Sequence, residues 1–169
     1  MPTIGVSVPI PEPWATELQD YRVGLGDETA VQVPTHITLV PPTEVGDADL
    51  SLIEKHLAEA SADLAPFEIL LRGTGTFRPV SEVVFVMLAT GISQCEQLAE
   101  RLRSGPLARP LNFPYHPHVT VAHDLAPDLL DRAFTELASF TAYFTVTAFS
   151  LYRHDPGTGW QPTREFPLQ

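Results

Sequence analysis

One short pattern occurs twice in this chain of 169 residues: His36-Ile37-Thr38-Leu39 and, in the second half, His118-Val119-Thr120-Val121. On a β-strand, side chains at i and i+2 leave from one face, so each copy displays a His beside a Thr and turns its aliphatic residues the other way. A single copy carries little weight, because Thr and β-branched residues fill half-buried strands in any sheet. Two copies, each in a strand-like segment with a proline close upstream (Pro34 and Pro117), call for a fold that uses the same strand twice. If the two strands face each other, two imidazoles and two hydroxyls share one pocket. Imidazole gives or takes a proton near neutrality and hydroxyls donate to phosphoryl oxygens, so the set suits phosphate-ester chemistry.

The rest of the chain keeps a matching rhythm. Residues 3–9 alternate as a strand, and Pro11 to about Leu25 is expected as a helix with Trp14, Leu18 and Tyr21 at helical spacing. The first motif strand is expected over 33–41, ending at Pro41-Pro42. Asp47 or Asp49 then caps a helix whose apolar face is Leu50, Ile53, Leu57, Ala60 and Leu64. Segments 67–77 and 82–90 form a hairpin across 78–81. Ser93-Gln94-Cys95-Glu96 is a capping box for a helix to about Arg103 with Leu98 and Leu102 inward, ended by Gly105-Pro106. The second motif strand, 116–123, precedes a helix from Pro127 to about Ser139 with Leu130, Phe134 and Leu137 buried. Strands over 142–153 and 160–167 close the chain. Strand, helix, motif strand, helix, hairpin, helix, motif strand, helix, hairpin is close to a two-fold repetition within one compact unit.

Charge narrows the partners. The net charge is −11, with Lys55 and nine arginines as the only permanent side-chain cations. Such a chain is poorly suited to tracking a duplex, which needs clustered Lys and Arg, and better suited to a small phosphorylated ligand or a nucleic-acid end. No apolar run is long enough to span a membrane, and the first residues lack a charged segment leading into a long apolar one, so the expectation is a soluble, cytoplasmic protein. Cys95 is the one cysteine; it is expected to pack a helix and has no partner for a disulfide or a cysteine-based zinc site. His116, His118, His123 and Asp124 raise a metal-dependent alternative. On a regular strand, however, His123 points away from the other two, and the expectation is a site with no metal and no cofactor.

The segments THITLV at 35–40 and YHPHVTVAHDL at 115–125 resemble those of the 2H phosphoesterase superfamily, the 2′-5′ RNA ligase and cyclic phosphodiesterase group. GTGTFRP at 73–79 followed by VVFVML, and SLYRHDPGTGW at 150–160, resemble its central segment and last hairpin. The resemblance implies an α+β, bilobal, pseudo-two-fold fold: two antiparallel sheets with outer helices and a central cleft, residues 1–169 being a single domain of two interleaved lobes. It implies metal-independent hydrolysis of a cyclic phosphodiester or, in some members, reversible 2′-5′ ligation of RNA ends. His36 and His118 would be the acid and base, with Thr38 and Thr120 holding the phosphoryl oxygens. A non-catalytic binder of nucleotides or RNA ends is the alternative from another class. Around them, Tyr115 and Phe77 are candidates to stack a base, and Arg78 and Arg153 to meet phosphate or ribose; each also reads as core or as solvated surface. His56 and His154 read as ordinary surface residues. The expected partner is a small cyclic nucleotide or RNA end, with no duplex and no membrane, bound by a monomer.

Overall fold

The computed structural model describes residues 1–169. Its eight strands are β1 (Thr3–Pro9), β2 (His36–Glu44), β3 (Phe67–Thr76), β4 (Val83–Thr90), β5 (His118–His123), β6 (Thr141–Val146), β7 (Ala148–Asp155) and β8 (Gly159–Pro167). The four helices are α1 (Trp14–Gly24), α2 (Leu50–Ala62), α3 (Ile92–Leu102) and α4 (Pro127–Glu136). The strands build two antiparallel four-stranded sheets, in the orders β2-β1-β7-β8 and β5-β4-β3-β6. Both motif strands are therefore edge strands, at equivalent positions of related sheets, and those two edges touch. This is the two-sheet α+β architecture that the resemblance implies.

Burial explains why the sheets need helices. In β1, Ile4, Val6 and Val8 are buried on one face and join a cluster of 35 buried residues that draws on both sheets and all four helices. Leu18, Ile53 with Leu57, Leu98 with Leu102, and Leu130 are the helical contributions. Each such fully buried aliphatic side chain contributes about 1.5–3 kcal/mol. The other face of β1 carries Gly5 and Ser7, opposite the first motif, and these small residues leave room above the sheet.

Several expectations are corrected. The single strand expected over 142–153 is two strands in different sheets: β6 pairs with β3, and β7 pairs with β1 and β8. The pattern changes where the chain crosses at Thr147. β6 alternates exposed and buried, whereas Phe149 to Tyr152 are buried in succession, as befits a central strand covered on both faces. β2 does not stop at Pro41-Pro42 but runs through both to Glu44, which an edge strand allows because the missing N–H groups need not feed a neighbour. The capping residue of α3 is Gly91 rather than Ser93. Gly91 lies in the left-handed region (φ 99°), and a Cβ there would stand 2.8 Å from the Glu68 carbonyl oxygen, so glycine is required. α1 begins at Trp14, and α4 ends at Glu136 with Ala133 beside Leu130 on its inner face; Phe134 is left 38% exposed. His56 is half-buried, its Nε2 3.0 Å from the Leu102 carbonyl oxygen, and so helps join α2 to α3.

Candidate active site

Each half of the site is built by the same local device. In β2 the burial runs half, buried, half, buried, buried from His36 to Val40, and β5 repeats that order from His118 to Ala122. Ile37 with Leu39 and Val119 with Val121 anchor the strands in the core, which turns both His-Thr pairs to the opposite face. The pairing register then shifts at matching places. Ser7 opposes Thr38 while Val6 opposes Val40, skipping Leu39; Phe85 opposes Thr120 while Val84 opposes Ala122, skipping Val121. A bulge follows each motif threonine and bends each edge strand at the cleft.

The imidazoles are oriented alike. His36 Nδ1 lies 2.6 Å from the Pro34 carbonyl oxygen, and His118 Nδ1 lies 2.6 Å from that of His116. A carbonyl oxygen only accepts, so Nδ1–H is the donor in both rings, which leaves Nε2 as the group that takes or gives a proton. The threonines differ from their neighbours in a telling way. Thr35, Thr43, Thr74 and Thr76 all donate their hydroxyls to backbone carbonyls, whereas those of Thr38 and Thr120 make no hydrogen bond within the protein.

Thr38 joins two spaces. A pocket on one side is lined by His36, Thr38, Gly5 and Ser7, with Tyr152 and Trp160 closing it. On the other side a larger groove of about 640 Å³ is lined by Thr38, His116 and His118 and the segment from Leu107 to Tyr115. Burial lowers the pKa of His36 from its ordinary 6.5, outweighing the Pro34 carbonyl, and the Arg22 charge adds to the effect. Burial likewise lowers that of His118, with the positive charges of His116 and His36 contributing. Charge on His36 thus opposes protonation of His118.

The supporting residues divide. Phe77 packs edge-on to His118, with centroids 4.9 Å apart at 87°, and against Phe85 at 4.5 Å. A Cβ on Gly75 would reach within 2.7 Å of the Phe85 ring, so that glycine makes room for the aromatic cluster. Tyr115 is half-buried and donates its hydroxyl to the Thr38 carbonyl at 2.7 Å, tying the approach to β5 onto β2. Arg78 is directed to α4, where it pairs with Asp131 at 2.8 Å. Arg153 is exposed and leaves the face of β7 that carries Leu151, beside Ile4, opposite to Tyr152 and the cleft. Neither arginine lines the two spaces at the motifs. His123 lies beside Asp124 at 3.2 Å, and no three metal-capable side chains converge here or elsewhere in the chain.

Sequence reasoning passed over Arg22 and Asp27, which form a buried ion pair at 2.9 Å behind the first half-site. Asp27 also caps the 3-10 turn Glu28–Gln32 by accepting from the Thr29 amide and hydroxyl; the Asp27-Glu28-Thr29 spacing is the signal for it. That turn leads into Pro34, whose carbonyl orients His36. The hairpin of β7 and β8 braces it from outside: Gly159 (φ 84°) approaches so closely that a Cβ would stand 2.5 Å from the Gln32 carbonyl oxygen.

The family model of the 2′-5′ RNA ligase superfamily matches residues 10–158, which include both motif strands. The chain belongs to this superfamily. Among its relatives, a Bacillus licheniformis protein named "Putative phosphoesterase" is 34% identical over 102 residues, 60% of each chain. One of Oceanobacillus iheyensis with the same description is 29% identical over 140 residues, 80% of this chain and 81% of its own. The superfamily fold is also found across almost the full length in solved structures. TT0787 of Thermus thermophilus has a TM-score of 0.71 at 22% identity, covering 99% of this chain and 98% of that one. Escherichia coli LigT complexed with 3′-AMP has a TM-score of 0.68 at 20% identity, covering 100% and 99%. No helix of the chain is long and apolar enough to cross a membrane.

Proposed function

We propose that this chain is a phosphodiesterase that opens a 2′,3′-cyclic phosphate, or a related cyclic phosphodiester of a nucleotide or RNA end, by acid–base catalysis between His36 and His118 without a metal. The observation that carries the reading is the matched pair of imidazoles, each with Nδ1–H donated to a backbone carbonyl and Nε2 left for chemistry, on abutting sheet edges. Neutral Nε2 of one histidine takes a proton from water as its oxygen attacks phosphorus. The bond from phosphorus to one ribose oxygen breaks, and that oxygen receives a proton from the protonated Nε2 of the other histidine. The product is a monoester, and the two histidines have exchanged protonation states, which solvent resets. The open hydroxyls of Thr38 and Thr120 are suited to hold the non-bridging oxygens as charge moves there. The phosphoesterase description of the relatives, and LigT structures with 3′-AMP, ATP and NADP+, agree with a nucleotide-sized phosphoester as substrate.

The electrostatics of the pair set the pH dependence. The active form holds one proton across two histidines, and burial puts both below 6.5 in the free protein. The profile of kcat/KM, which reports the free enzyme, is therefore expected to be a bell with its maximum below pH 6.5. The profile of kcat is expected to lie to its alkaline side, because a bound anionic phosphoryl group favours the protonated imidazole. Steady-state kinetics on 2′,3′-cyclic AMP from about pH 4 to about pH 9 test this. A kcat/KM that keeps rising through neutrality in proportion to hydroxide, with no bell, would remove the histidine pair from the mechanism.

A further inference from the structure

The groove on the His118 side holds two arginines that the reaction does not use. Arg103, at the end of α3, and Arg109, in the segment that leads to β5, both line it together with Thr38, Tyr115 and His118. The arginines elsewhere mostly have carboxylate partners: Arg22 with Asp27, Arg78 with Asp131, Arg101 with Asp63, Arg132 with Glu136 and Arg164 with Glu54. In a chain of net charge −11, leaving two guanidinium groups in one groove without a carboxylate is a departure from that rule. Glu44 is the one acidic residue of the lining, at its exposed rim, and it bonds neither of them.

Arg103 is the more informative of the two. Its Nε is buried with no hydrogen-bond partner, which costs free energy in the unliganded protein. The guanidinium is held over the Tyr115 ring, 5.6 Å from the centroid, and the hydroxyl of that ring is bonded to the Thr38 carbonyl. One tyrosine ring is thus the spacer between the guanidinium and the motif strand. Arg109 is exposed, with one terminal nitrogen donating to the Ala108 carbonyl at 2.8 Å and to the Pro106 carbonyl at 3.3 Å, which leaves its other terminal nitrogen and its Nε free. Arg presents planar paired donors that match phosphate oxygens, and an unpaired buried N–H gains most from such a charged acceptor. The groove volume, about 640 Å³, is ample for a nucleotide-sized group.

We infer that Arg103 and Arg109 form a second phosphate subsite, one nucleotide unit from the scissile phosphate, and that the substrate is a cyclic phosphate carrying another phosphate group. The inference rests on the proposed reaction, since it takes the His-Thr cleft as the place of the first phosphate. The preferred substrate is then a cyclic phosphate on a 5′-phosphorylated nucleoside or at the end of a short oligonucleotide, rather than a nucleoside cyclic phosphate alone.

Binding separates the two claims, because it does not need turnover. Titration calorimetry compares adenosine 3′-monophosphate with adenosine 3′,5′-bisphosphate on the wild-type protein and on Arg103→Met and Arg109→Gln. Met keeps an unbranched stem over Tyr115, and Arg109 is exposed, so both variants are expected to fold. The bisphosphate is expected to bind wild type at least about tenfold more tightly, as one added charge-assisted contact gives. The ratio of the two affinities should fall towards one in each variant. Monophosphate binding with no gain from the second phosphate, or a gain that survives in both variants, overturns the subsite and leaves the proposed reaction standing. No binding of either ligand overturns both.

Discussion

His36→Ala and His118→Ala are each expected to lower kcat on a cyclic phosphate by about 10²–10⁴-fold, the range that a positioned acid or base contributes. The double variant should lose little more than the worse single one, because the two groups act as a unit within one proton transfer cycle. Folding should survive, and the physical reason is the same burial that tunes the rings. A histidine whose folded pKa lies below its unfolded value binds protons better when unfolded, so it removes stability as pH falls through 6.5 and adds nothing above it. Removing either ring should therefore make the protein less sensitive to acid. Melting curves at about pH 7 and about pH 5, which bracket the histidine range, check this alongside the kinetics. A variant that keeps wild-type kcat, with its fold intact, would take that histidine out of the reaction.

Asp27→Ala is expected to be the most damaging single change outside the core. Arg22 and Asp27 are 6% and 8% exposed, and the Arg22 Nε has no partner of its own, so the guanidinium depends on this carboxylate. Burial alone would push the Asp27 carboxyl up, but hydrogen bonds from Thr29 and Arg22 hold it below the ordinary range, so it is charged at neutral pH. Removing one member of such a pair strands the other and costs about 3–5 kcal/mol. For a chain of this length that is a fall in Tm on the order of 10 °C. Replacing both partners by apolar residues, Arg22→Met with Asp27→Leu, should recover much of the loss. A second effect separates this pair from an ordinary buried ion pair. The Arg22 charge already depresses His36, and without Asp27 that charge is unopposed, so the kcat/KM profile of the surviving protein should move further to acid. A Tm within about 2 °C of wild type would mean that water, not Asp27, satisfies Arg22.

The paired motifs were legible because their information is periodic: a His and a Thr at i and i+2, with aliphatic residues between, state which face is buried. The bulges after Thr38 and Thr120 were not, since Leu39-Val40 and Val121-Ala122 read equally well as ordinary strand residues; only pairing with β1 and β4 shows the skipped positions. The crossing at Thr147 was hidden for a related reason, because β6 and β7 are contiguous strands and their sheet membership is a long-range property. Pro41 and Pro42 misled, as their tolerance depends on β2 being an edge. Tyr115 and Phe77 stand near the motifs in space, but their ties to the Thr38 carbonyl and to the His118 ring come from tertiary contacts that spacing does not encode. Arg103 gave no signal at all in the sequence, since an unpaired guanidinium is recognised only when its neighbours are known.

The most direct measurement is the incubation of chelator-treated protein with each of the four nucleoside 2′,3′-cyclic monophosphates, resolving 2′- from 3′-phosphate products by chromatography. Ring opening is expected without added metal and with a single regioisomer as product, because one fixed histidine protonates one ribose oxygen. Opening that returns only with a divalent cation, or an equal mixture of both products, would contradict the two-histidine mechanism.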